Sequence, residues 1–215
     1  MKKMAALGFA LGFLIAGCSN SENRAKGVCM LVDTSGVFSS ELTKAQTIIS
    51  YLLATLQPND TLVIANVGTE SFSERDIIAK VTFAQRPSVA NNQKRVFQKE
   101  VHKFLKSAGN TKHTDISGGI LQAIESLNEA GSMKKYILIF SDLKEELAEV
   151  SNGELPFQLT GIYVVAVNVT KLREGVRDTE PFLDRVEDWR MKIEHAHGNW
   201  SFVNDLERLE TVFAE

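Results

Sequence analysis

Few of the patterns that signal chemistry occur in this chain. It has no Gly-x-Ser-x-Gly elbow, and no Gly-x-x-x-x-Gly-Lys loop to cradle a phosphate. Its one glycine pair, Gly118-Gly119, falls inside a helical pattern and lacks Gly-x-Gly-x-x-Gly spacing. Nucleophilic catalysis needs a Ser or Cys with a base in reach and an oxyanion donor, and no such set is visible. There is no internal repeat and no low-complexity linker. No basic stripe stands out along the 24 Lys and Arg, and the formal charge of −3 gives no reason to expect nucleic acid. Cysteine is scarce, with two in 215 residues. Cys29 sits in the apolar run Val28-Cys29-Met30-Leu31-Val32 and reads as a small buried hydrophobe.

What is present begins at the N-terminus. Lys2 and Lys3 precede an apolar run over residues 4–14, then Leu14-Ile15-Ala16-Gly17-Cys18 and a polar stretch over residues 19–23. A charged start, a short apolar segment and small residues before a cut site make a secretory signal peptide. The apolar run is too short to span a ~30 Å hydrocarbon core. The segment resembles the lipobox of bacterial lipoproteins, in which that Cys is acylated and becomes the new N-terminus. The resemblance implies a signal peptide over residues 1–17, lipidation at Cys18 with a short tether over 18–26, and a folded domain over 27–215. Losing residues 1–17 removes two lysines and takes the charge from −3 to −5. With Cys18 modified, no intrachain disulfide can form. The eight residues 19–26 reach about 27 Å fully extended, so the domain stays near the bilayer. In the resembled proteins, Ser rather than Asp after the lipidated Cys favours the outer membrane of a diderm cell. The implied location is the bacterial envelope.

The mature chain of about 198 residues suits one α/β domain. Continuous apolar runs predict buried strands over residues 28–32, 61–67, 136–140 and 161–169, with a shorter edge strand over 79–84 and a last one over 200–203. Apolar residues at helical spacing predict helices over 39–56, 91–106, from Thr114 or Asp115 to Gly131, over 181–195 and over 206–213. Ser39 or Ser40 is the expected cap of the first. Strands alternating with helices predict a doubly wound, mainly parallel sheet covered on both faces, with one antiparallel edge strand. Ligands of such sheets bind beyond the carboxyl ends of the strands.

Three polar segments fall at those ends. They are Asp33-Thr34-Ser35-Gly36-Val37 after the first strand, Thr114-Asp115 at the start of the third helix, and Ser141-Asp142 after the fourth strand. Carboxylates, hydroxyls and water are the ligands of hard divalent cations such as Mg²⁺. Here the chain resembles the von Willebrand factor A-type (VWA) domain, over residues 28 to about 213. That family carries an Asp-x-Ser-x-Ser loop, a Thr opening a central helix and an Asp after the fourth strand, which together form its metal-ion-dependent adhesion site. Asp33, Ser35, Thr114 and Asp142 match. The resemblance implies Mg²⁺ or another divalent cation held by those four residues. Two positions depart from it. Val37 replaces the second loop Ser, normally a ligand, and Leu143 stands where many relatives have Gly.

Each candidate also has a plainer role. Asp33 and Asp142 can cap helices or pair with Lys112 or Lys144, and Ser35 and Thr114 can be turn hydroxyls. Asp115 reads as a helix-start charge. His195 and His197 have the spacing of a metal pair but lack a third ligand nearby, and His113, beside Thr114, reads as solvent-exposed. An Asp ending the first strand also resembles phosphotransferases of the haloacid dehalogenase type, but those need a second Asp two residues on, where this chain has Ser35.

The expected function is a membrane-anchored binding module, not an enzyme, that holds a protein partner in the envelope through a divalent cation. The alternative is a metal-free scaffold subunit of the same fold, which Val37 favours. A hydrolase is the weaker third. The sequence does not identify the partner or its docking residues, although Phe38 and Phe72 are candidate exposed anchors.

Overall fold

The computed structural model of the chain describes residues 25–35, 41–69, 73–109, 111, 113–145, 155–167, 179–204 and 206–214. The leader, Cys18, Val37, Phe38, Phe72 and both serines expected to cap the first helix lie outside the described residues.

Among the described residues, six strands form one sheet: β1 (Lys26–Val32), β2 (Thr61–Asn66), β3 (Ile77–Thr82), β4 (Lys134–Phe140), β5 (Ile162–Val167) and β6 (Asn199–Val203). Their order is β3-β2-β1-β4-β5-β6. All pairings are parallel except β2 with β3. The chain therefore winds outward from β1 through β2 to β3, then returns to the centre and winds the other way through β4, β5 and β6. The reversal falls between β1 and β4, which makes their carboxyl ends the switch point where such sheets open a crevice.

Among the described residues, five α-helices cover the sheet: α1 (Leu42–Thr55), α2 (Pro87–Ser107), α3 (Ile116–Glu129), α4 (Thr179–His195) and α5 (Leu206–Ala214). Strand periodicity sorts the apolar residues into two layers. Val28, Met30 and Val32 of β1 pack with Ile49 and Leu52 of α1, Phe97 and Val101 of α2 and Leu209 of α5. Cys29 and Leu31 face the other way, into Ile116, Ile120 and Leu127 of α3 and Trp189 and Ile193 of α4. Burial on both faces is why the central strands read as unbroken apolar runs rather than alternating ones. Helix α3 approaches the sheet closely at Gly119, where any Cβ would run into Val67 and Leu31. That close approach fixes the height of the residues just before α3.

The sheet is the one expected, including its antiparallel edge strand. Several boundaries move. Helix α2 begins at Pro87, four residues before the expected start, because proline's fixed φ and missing N–H suit the first helical position. Strand β3 runs over Ile77–Thr82 rather than 79–84.

One expectation is corrected. The folded chain does carry a basic stripe. Helix α2 holds Lys94, Arg95, Lys99, Lys103 and Lys106 against one acid, Glu100. At ~100° per residue, Arg95, Lys99, Lys103 and Lys106 fall within an arc of about 80°, opposite the buried Ala90, Phe97, Val101 and Leu105. The spacing hides this in the linear sequence, where the cations are interleaved with core residues.

Candidate functional site

Parallel pairing of β1 with β4 sets Val32 opposite Phe140, so the residues that follow, Asp33 and Ser141, leave the sheet side by side. The main chain holds this arrangement, with the Asp33 N–H donating to the Phe140 carbonyl at 3.0 Å. Asp115 is brought in from the other side, its N–H donating to the Val67 carbonyl at 2.9 Å. Thr114 thus arrives over the end of β1.

Asp33 is the centre of the cluster and is fully buried. One carboxylate oxygen accepts from the Ser35 N–H at 2.8 Å and the other from Ser141 Oγ at 2.7 Å. Thr114 Oγ1 lies 3.4 Å from both oxygens and donates to Ser35 Oγ at 2.9 Å. The structure therefore brings Asp33, Ser35 and Thr114 together from segments 79 or more residues apart. Asp142 is half-buried beside them, and its negative charge reaches Asp33. One of its carboxylate oxygens accepts from the Lys144 N–H at 2.9 Å.

Electrostatics set this cluster apart. Burial pushes the pKa of Asp33 up from its ordinary value, the hydrogen bonds from Ser141 and Ser35 pull it down, and the charge of Asp142 adds to the push. Among the described residues no Lys or Arg side chain pairs with either carboxylate. A buried carboxylate with a second one nearby and no counter-ion is a site that a small hard cation would neutralise. The donor set fits such an ion, with two carboxylates and two hydroxyls, all oxygen. Among the described residues no three His, Cys, Asp or Glu side chains converge on one point.

The neighbouring candidates serve the fold. Asp115 caps α3 through the Gly118 N–H at 2.7 Å. Glu145 reaches the next free donor of that helix, accepting from the Ser117 N–H at 2.7 Å and from its hydroxyl at 3.1 Å. His195 and His197 are exposed at the end of α4. Trp189 is buried, as expected of a core residue, and its Nε1–H donates to the Leu143 carbonyl at 3.1 Å.

Ser141, named in the sequence only as part of a polar strand end, and Leu143, noted there only as a departure from glycine, both prove to shape the site. Ser141 holds Asp33 directly, and the signal for it was the β1–β4 register, which only pairing reveals. Leu143 adopts φ of +62° while buried. Left-handed backbone favours glycine, the residue many VWA domains carry there. The turn survives in this chain because both ends of it are held. The Leu143 N–H donates to Ser141 Oγ at 3.1 Å, and Arg185 Nε donates to the Asp142 carbonyl at 2.9 Å.

No family model and no curated protein matches the chain. Solved structures do resemble it. A von Willebrand factor type A protein from Catenulispora acidiphila aligns with a TM-score of 0.54 at 14% identity, over 88% of this chain. The chain spans 41% of the length of that structure. The PilB minor pilin from Streptococcus sanguinis aligns at 0.49, with 13% identity over 89% of this chain and 60% of that one. An aerotolerance-related membrane protein from Bacteroides fragilis aligns at 0.48, with 15% identity over 87% of this chain and 96% of that one. At these identities the likeness speaks to fold, and the fold is VWA-like.

Proposed function

We propose that this VWA-like domain is a binding module of the bacterial envelope, tethered through lipid on Cys18, that holds a protein partner through a divalent cation at the switch point. The observation that carries the proposal is the buried Asp33 carboxylate, facing Ser35, Thr114 and Ser141, lying near Asp142 and lacking a counter-ion among the described residues. Ser35 and Thr114 would ligate the ion directly, and Asp33 and Asp142 through water. A bound Mg²⁺ supplies an electrophilic position that a partner's carboxylate can complete. No catalytic role is assigned. No helix among the described residues is long and apolar enough to cross a membrane, so the anchoring rests on the leader.

The metal-free scaffold reading has one observation in its favour. Hydroxyl and N–H donors already satisfy both oxygens of Asp33. Val37 adds to it by removing an expected ligand. Thermal melting in EDTA and in millimolar Mg²⁺ or Mn²⁺ separates the two readings, because a cation bound to the folded state raises Tm with the logarithm of its concentration above Kd. A shift abolished by Thr114→Val supports the cation, and no shift leaves the scaffold. Capture of partners from solubilised envelope, with and without chelator, then tests the binding role. Metabolic labelling with an alkyne fatty acid, lost in Cys18→Ser, tests the anchor.

A further inference from the structure

Elsewhere on this surface, several cations sit beside acids. Arg190 lies between Glu187 and Glu194, Lys80 meets Glu129, and Lys44 meets Glu41. Helix α2 departs from that pattern. Lys94 turns inward, its Nζ donating to the Leu56 carbonyl at 2.7 Å and lying over the Phe83 ring. Arg95, Lys99, Lys103 and Lys106 point outward, exposed, with no ion pair among the described residues. They form a cationic band about 17 Å long at 1.5 Å per residue. Val89 and Val96, 42% and 49% exposed, border the band on one side. A net acidic protein has concentrated unpaired positive charge and two bare valines on one helix face.

The root of the tether lies beside that helix. The Lys26 N–H donates to Asp60 Oδ1 at 2.8 Å, the Asp60 carbonyl accepts from the Phe83 N–H at 2.9 Å, and the Ala84 N–H donates to Gln93 Oε1 of α2 at 2.8 Å. Three hydrogen bonds thus connect the start of β1 to the first half of α2. We infer that the outward face of α2 docks on anionic lipid headgroups of the same membrane that holds the N-terminal lipid. The inference rests on the proposed anchoring. An acidic protein would match the charge as well. The membrane is favoured because a tether of about 27 Å at most keeps it within reach at all times, at high effective concentration. Bare apolar side chains beside lysines are also the composition of interfacial helices. Each cation near an anionic surface strengthens binding roughly fivefold (about 1 kcal/mol), so four give several hundredfold at low salt.

The test uses the full acylated chain in vesicles of pure phosphatidylcholine or with 30% phosphatidylglycerol. An environment-sensitive dye is placed on Asn92→Cys, in the middle of the exposed face, because acylation blocks Cys18 and burial shields Cys29. The dye is expected to shift blue only in the anionic vesicles and to return in 0.5 M salt. Reversing the four cations to Glu, with an unchanged far-UV spectrum, is expected to abolish the shift. Equal spectra in the two lipids, or a shift that survives the reversal, overturns the inference. So does a shift that appears only when soluble envelope extract is added, which would make an acidic protein the occupant. The anchor is scored separately by the mass of the Cys18 peptide. If Cys18 is unmodified, sedimentation of the full chain with anionic but not neutral vesicles, lost on charge reversal, keeps the docking face and removes the anchor.

Discussion

Replacing Asp33 by Asn isolates the charge of the cluster from its shape. The amide oxygen can still accept from the Ser35 N–H, now 2.8 Å from Oδ1. The amide nitrogen then faces Ser141 Oγ, which can rotate to accept. Asp33→Asn therefore keeps every main-chain partner while removing a carboxylate whose ionised form is disfavoured by burial and by Asp142. In EDTA the variant is expected to melt at or above the wild-type temperature. Asp33→Ala differs, because it removes the acceptor of the half-buried Ser35 N–H and of the buried Ser141 hydroxyl, a loss of about 1–3 kcal/mol. At 2–4 °C per kcal/mol for a domain of this size, that lowers Tm by about 2–12 °C. At a hundredfold excess of Mg²⁺ over Kd, wild type is expected to gain about 2.7 kcal/mol, roughly 5–10 °C, and neither variant is expected to gain anything. pH adds a signature with a definite sign. A carboxyl whose folded pKa is raised contributes most stability below its ordinary value and loses it as pH rises through the raised one. Without metal, wild type should therefore decline against Asp33→Asn across that acid-to-neutral window, and Mg²⁺ should cancel the decline. Differential scanning calorimetry in chelator and in Mg²⁺, between pH 4 and 8, reads all of this. The reasoning fails if Asp33→Asn falls as far as Asp33→Ala in chelator, or keeps the cation shift.

Three further outcomes follow from geometry. At Leu143, φ of +62° should invert the usual ranking of small residues. Leu143→Gly is expected to be more stable than Leu143→Ala by about 1 kcal/mol in urea denaturation, although both lose the buried side chain, and the ordinary order would refute the strain. Gly119→Ala should destabilise by about 1–3 kcal/mol, against the gain alanine normally brings to a helix interior, because its Cβ meets Val67 and Leu31; a raised denaturation midpoint would show that α3 can move away from the sheet. The Cys29 thiol, fully buried and pushed up to about 12, should react with a disulfide reagent only as fast as the domain opens, and rapid native labelling at pH 8 would contradict that burial.

The strands and their parallel order were legible because both faces of the sheet are buried, which writes β1, β4 and β5 as unbroken apolar runs. Asp33, Ser35 and Thr114 were legible as a set because each follows or precedes such a run at the same end of the sheet. Ser141 was not, because its role depends on which strand lies beside β1. Nor was the charged face of α2, whose cations are interleaved along the sequence with the core residues Phe97, Val101 and Leu105. The inward turn of Lys94 toward Leu56 depends on tertiary contact that no local pattern encodes. The left-handed turn at Leu143 breaks a local preference, and only the clamps from Ser141, Trp189 and Arg185 explain why it persists.

Strand β1 starts at Lys26 and ends at Val32, leading directly into Asp33. Under the proposed anchoring and binding, a pull between the N-terminal lipid and a partner at the crown would run lengthwise along this one strand, which is flanked in register by β2 and β4. Force in that direction shears two ladders at once instead of unzipping them bond by bond. A domain wired this way would resist traction.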